Sequence, residues 1–138
     1  MRYTLKLEKL FVLCLFSSLK SAEELDISLA LMKKLKNSRP ESRLILLGDG
    51  PLLHRLTAGC EYDDLTDIVL PLGITNDPAG ILSVSDALII PVWDRHSGLL
   101  KTAAAANSLP LITSDEGPDI ESRASLLEEK ALSLPIRS

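Results

Sequence analysis

Short apolar runs alternate along this chain with longer stretches of mixed polarity. Residues 10–16 (Leu-Phe-Val-Leu-Cys-Leu-Phe) are an unbroken apolar run of strand length, and residues 44–47, 68–70, 87–90 and 111–113 are shorter runs of the same kind. Such runs, bounded by turn residues, suit strands buried on both faces of a parallel sheet. In residues 22–36, Leu25, Leu29 and Met32 recur at helical spacing, and Ile27, Leu31 and Leu35 widen the apolar face. Asn37-Ser38-Arg39-Pro40 ends that helix. Gly48-Asp49-Gly50-Pro51 turns the second strand into a short helix carrying His54 and Arg55, with Pro51 suited to a first helical position. Residues 78–84, 99–107 and 120–130 read as further helices, and residues 132–134 as the start of another strand.

Strands separated by helices with short links specify parallel βαβ units. The expected fold class is therefore α/β: a Rossmann-like parallel sheet of about five or six strands with helices on both faces. No linker or internal repeat interrupts residues 1–138, so they read as a single Rossmann-like domain. In a parallel sheet the loops at residues 48–51, 94–99 and 115–117 all follow strands and meet at one edge, where doubly wound folds bind ligands. Gly98 opens a helix whose first amide N–H groups have no intrahelical partner, a favourable place for a phosphate.

Composition narrows the class. The chain has 138 residues and a formal charge of −4, with 25% charged residues, which argues against a nucleic-acid binder. Aromatics make up 4%, so stacking platforms for bases or sugars are scarce. Cys14 and Cys60 read as buried or free thiols rather than a disulfide, and no metal-ligand spacing occurs. Arg2, Lys6 and Lys9 before residues 10–16 give the outline of a signal peptide. Glu8 interrupts the basic segment and Lys20 spoils the cleavage pattern at Ala22, so a first core strand is the preferred reading. The expected location is cytoplasmic, with membrane-peripheral placement and secretion left open. Lys33, Lys34 and Lys36 complement the helix dipole and read as a solvated helix end.

Four segments in order resemble the C-terminal domain of family-4-type glycosyltransferases of the two-Rossmann-domain GT-B class. Arg43-Leu-Ile-Leu-Leu-Gly-Asp-Gly-Pro51 is similar to that family's strand and Gly-x-Gly-Pro turn. Residues 68–73 are similar to its Val-x-Phe-x-Gly strand, and Ser85-Asp86-Ala87 before Ile89-Ile90-Pro91 to its Ala-Asp-strand-Pro segment. Residues 107–115 are similar to its Gly-x-Pro-Val-Ile-x-Ser-Asp segment. The resemblance implies a donor-nucleotide-sugar-binding half of a retaining glycosyltransferase of the glycosyl group 1 type. Relative to that two-domain enzyme an acceptor-binding N-terminal domain is absent, so the isolated chain is expected to catalyse little or nothing. The implied partners are a nucleotide-sugar donor, taken as substrate with no cofactor and no metal, and a missing N-terminal domain or an oligomer partner.

The departures are equally specific. The family places two glutamates around its phosphate-binding glycine; aligned on Gly98, Arg95 and Ala103 stand there instead, and Asp94 lies one residue from the first position. Of the family's first-loop arginine and lysine that bind the diphosphate, only one has a counterpart in residues 16–20, Lys20. The candidate donor site is thus Lys20, Gly48, Gly50, Asp94, Arg95, His96, Ser97, Gly98 and Leu99. Arg95 suits a diphosphate through paired charge-assisted bonds, His96 titrates near neutrality, and Ser97, Gly98 and Leu99 offer amides. Trp93 reads as loop packing, Asp49 as a turn residue and His54 as solvent-facing; Asp115 and Glu116 border the same edge. No catalytic residue is assigned. Two alternatives stay open: a non-catalytic remnant or interaction module of the same fold, and a related nucleotide-sugar enzyme such as an epimerase.

Overall fold

A computed structural model of the chain describes residues 10–93, 97–114 and 118–136. Five strands alternate with five helices: β1 (Phe11–Phe16), α1 (Ala22–Ser38), β2 (Ser42–Leu47), α2 (Leu53–Tyr62), β3 (Val69–Gly73), α3 (Pro78–Val84), β4 (Ala87–Ile90), α4 (Ser97–Ala106), β5 (Leu111–Thr113) and α5 (Ile120–Leu132). Side-chain oxygens set three of the helix starts. Ser21, Asp77 and Asp119 accept from the backbone N–H of Glu24, Gly80 and Ser122, and Pro78 occupies the first turn of α3.

All pairings are parallel and the strand order is β3-β2-β1-β4-β5. Chain order runs outward from β1 in one direction and resumes from β4 in the other, so the switch lies between β1 and β4. Asp86 fixes that junction from the opposite edge. It is fully buried, its carboxylate accepts the Val12 N–H at 2.7 Å, and its own N–H donates to the Val12 carbonyl at 2.7 Å. The Asp of the Ser85-Asp86-Ala87 segment therefore sets strand register, far from the carboxyl edge.

The strands alternate their side chains between two cores. Phe11, Leu13, Leu15, Leu44 and Leu46 face α1, α2 and α5. Val12, Cys14, Ile45, Leu47 and Leu88 face α3 and α4. The expected sheet covered on both faces is thus present. In α1, Leu25, Ile27, Leu29, Leu31, Met32 and Leu35 are all buried, as the helical periodicity requires. Lys33, Lys34 and Lys36 form solvent-exposed ion pairs with Asp63, Glu121 and Asp64 at 3.4, 2.9 and 3.0 Å.

Two expectations change. Residues 132–134 do not begin a strand: α5 runs through Leu132, and Ser133 and Leu134 turn back by N–H bonds to Lys130 and Ala131. The Arg39 guanidinium, stacked 3.8 Å from the Phe11 ring, holds this end by donating to the Ala131 and Leu134 carbonyls. The third strand runs to Gly73, beyond Leu70. It tolerates Pro71 because β3 is an edge strand, and the ladder to β2 shifts register between Leu46 and Leu47 to accommodate the segment. Both cysteines are free and buried, as expected. Among the described residues no helix is long and apolar enough to cross a membrane.

Candidate functional site

A cavity of about 570 Å³ opens at the carboxyl ends of the central strands. Leu15 and Phe16 of β1 and Ile89 and Ile90 of β4 form its floor, so it sits at the strand-order switch, where open α/β sheets bind ligands. Gly73, Ile74 and Thr75 close it on the β3 side, and Ser97, Leu99 and Leu100 of α4 on the other. Most of the wall is apolar. Among the described residues lining it, the ionisable side chains are two carboxylates, Glu24 and Asp49, with no lysine or arginine.

The predicted site residues separate into distinct groups. Ser97 and Leu99 line the cavity at the start of α4, Ser97 buried and Leu99 74% exposed. A Cβ added at Gly98 would meet nothing within 4 Å, so the backbone there faces open space. Gly48 lines the cavity, but its lack of a side chain has an internal cause: a Cβ would stand 1.7 Å from the Ser17 carbonyl oxygen, at a φ of +133°. Gly50 is the same case, 1.8 Å from the Ser18 carbonyl oxygen. The Gly-x-Gly turn is therefore a close seat for the loop after β1. Asp49 acts as a turn residue by accepting the Gly50 N–H at 2.8 Å. Lys20 is exposed and is not part of the cavity wall. Asp94, Arg95, His96, Asp115 and Glu116 lie outside the described residues.

Seated on the two glycines, the loop after β1 builds a polar network that the sequence reading missed. Ser17 N–H donates to the Leu47 carbonyl at 2.9 Å, and Leu19, held at a φ of +51°, accepts the Leu52 N–H at 2.9 Å. Leu19 N–H in turn donates to Ser17 Oγ at 2.9 Å. With that lone pair engaged, the Ser17 hydroxyl donates to Glu24 Oε1. Ser21 followed three residues later by Glu24 is a capping-box pattern, which marks a helix start and gives no hint that the carboxylate turns to the cavity.

Other singled-out residues have structural explanations. Ala103 is half-buried against the α3–α4 core and takes no part in the cavity wall. His54 is exposed, and Trp93, just after β4, is 42% exposed. Burial pushes the Cys14 thiol up to about 12, against a smaller opposing effect of the Ser85 hydroxyl, so it is an inert thiol. Among the described residues no three His, Cys, Asp or Glu side chains assemble into a metal site.

The order of the strands and the position of the cavity define a doubly wound α/β domain with a crevice at its switch point. Among solved structures, the fold is that of one Rossmann-like half of GT-B glycosyltransferases. WaaG, a glycosyltransferase involved in lipopolysaccharide biosynthesis, superimposes with a TM-score of 0.78 at 17% identity over 96% of this chain and 41% of that chain. A TarM mutant from S. aureus, in complex with fondaparinux, α-GlcNAc-glycerol and UDP, gives 0.76 at 14% identity over 91% of this chain and 30% of that one. HepE from Anabaena, in complex with UDP, gives 0.73 at 17% identity over 93% and 41%. The chain thus spans well under half the length of these neighbours. No protein-family model and no curated protein matches the sequence.

Proposed function

We propose that the chain is the donor-nucleotide-sugar-binding domain of a retaining glycosyltransferase, the leaving diphosphate held at the start of α4. The observation that carries this reading is the cavity at the switch between β1 and β4, with Ser97 and Leu99, the residues on either side of Gly98 at the start of α4, in its wall. Amides at the first turn of a helix bind anions without reorganising, and they stabilise charge that develops as a diphosphate departs. Arg95, in the segment leading into α4, and Lys20 supply the cationic part of the proposal. UDP in the TarM and HepE complexes supports a nucleoside diphosphate as the class of ligand.

Calorimetry with UDP and GDP tests it. The chain is expected to bind at least one of them, and Arg95→Ala to weaken the diphosphate more than the parent nucleoside. One lost charge-assisted hydrogen bond corresponds to about ten-fold or more in affinity. Gly98→Ala should weaken binding by a similar factor while leaving unfolding within about 1 kcal/mol of the parent, since the added methyl meets no protein atom. Absence of binding by both nucleotides at millimolar concentration overturns the reading. A second reading, a non-catalytic module of the same fold, is favoured by the two carboxylates and the missing cations along the described wall, and that same silence selects it.

A further inference from the structure

We infer that Ser17 and Glu24 form a hydroxyl-recognising pair, in which the Glu24 carboxylate accepts from adjacent free hydroxyls of a ribose or hexosyl ring bound in the crevice. This rests on the nucleotide-sugar reading and names the residue that reads the sugar. A carboxylate is acceptor-only, so it matches the donors of a diol. Glu24 lines the cavity at the switch point, in a wall where the other ionisable side chain among the described residues is also a carboxylate. On the proposed reading the diphosphate lies at the start of α4 and the neutral hydroxyl-bearing ring at the α1 end.

Glu24 is also held in place. Ser17 is anchored through its N–H to the Leu47 carbonyl, and its Oγ accepts from Leu19 N–H, so the hydroxyl proton is directed onto Glu24 Oε1. The Ser17 carbonyl is itself packed where the Gly48 side chain would be. Leu19 keeps a left-handed backbone, uncommon for a leucine, to bring its N–H to Ser17. A loop so tightly determined fixes the carboxylate before ligand arrives, which is the condition for discriminating hydroxyl patterns. Glu24 is then a specificity-determining residue and Ser17 a positioning one.

The test is the affinity of Glu24→Gln for UDP and GDP, for their 2′-deoxy counterparts, and for UDP-glucose and GDP-glucose, alongside the parent chain. Glutamine keeps the shape and removes the charge, so affinity should fall about ten-fold or more wherever the pair engages hydroxyls. A fall for UDP or GDP that is clearly smaller for its 2′-deoxy form, which keeps only the 3′-hydroxyl, identifies the ribose. A fall confined to the glucose-bearing ligands identifies the hexosyl ring. Ser17→Ala, which leaves the carboxylate in place without its orienting partner, should shift the same ligands in the same direction by a smaller factor. Parent-like affinity of Glu24→Gln for every ligand overturns the inference alone, as does an equal loss across all ligands including the 2′-deoxy forms. Failure of the parent chain to bind any of them overturns the nucleotide-sugar reading and this inference together.

Discussion

A methyl group at Gly48 would stand 1.7 Å from the Ser17 carbonyl oxygen, whereas at Gly98 it would meet nothing within 4 Å. Gly48→Ala should therefore destabilise the fold by about 2–4 kcal/mol, combining a backbone clash with a positive φ. Urea unfolding measures this, and a midpoint equal to the parent's would show that the loop after β1 can move away. Cys14 gives a separate prediction at the same scale. Burial raises its thiol from an ordinary 9.0 to about 12. A raised folded-state value means that the contribution is complete below pH 9, where the thiol is protonated in both states. It is lost as pH rises from 9 towards 12, because only the unfolded chain ionises there. Stability should decline over that window, less steeply in Cys14→Val, and iodoacetamide at pH 8 should leave Cys14 unmodified until the chain unfolds.

Elements were legible where one physical signal dominated. The apolar runs of β1, β2, β4 and β5 and the apolar face of α1 are written in consecutive residues, and the structure has all of these elements, β5 at a sheet edge burying only Ile112. The apolar run marks β3 only as far as Leu70, whereas the resemblance of residues 68–73 to a Val-x-Phe-x-Gly strand reaches the observed end at Gly73; Pro71 is tolerated because the strand lies at an edge, a property of the assembled sheet. Residues 132–134 looked like a strand from apolarity alone; what ends α5 is Arg39, about ninety positions away, reaching the Ala131 and Leu134 carbonyls. Glu24 was hidden by its local pattern, since a capping box and a cavity carboxylate share the same spacing. Asp86 tests how an element is held in register. Asp86→Ala would leave the Val12 N–H without its carboxylate acceptor in a fully buried place. A loss of about 1.5–3 kcal/mol is expected by denaturant unfolding, with Asp86→Asn closer to the parent because an amide oxygen can still accept. Asp119, capping α5, has its carboxyl below the usual range because Ser122 N–H donates to it. A lowered folded value means that this contribution is present above the ordinary carboxylate range and is lost as pH falls through the folded value.

At the scale of the molecule, the large exposed apolar side chains among the described residues are unevenly distributed. Ile74 is 81% and Leu99 74% exposed, and both line the crevice; Leu72 of β3 and Trp93 after β4 are 46% and 42% exposed. Helices cover both faces of the sheet and brace one another by Arg123–Glu23 and Lys34–Glu121 pairs, so among the described residues four of the six large exposed apolar side chains lie towards the carboxyl edge, Tyr62 and Leu132 being the others. Contiguous exposed apolar surface on a folded domain marks a place where something binds. The crevice should therefore take up an apolar fluorescent dye in the native state, and UDP or GDP should displace it if nucleotide and dye share the cavity. Ile74→Ser with Leu99→Ser should reduce dye fluorescence severalfold. Because both side chains are solvent-facing, each change should alter stability by only about 0.5 kcal/mol. Dye binding that survives the double substitution and ignores nucleotide would place the apolar surface elsewhere, with Tyr62 at the end of α2 and Leu132 at the end of α5 as the other large exposed apolar side chains among the described residues to test.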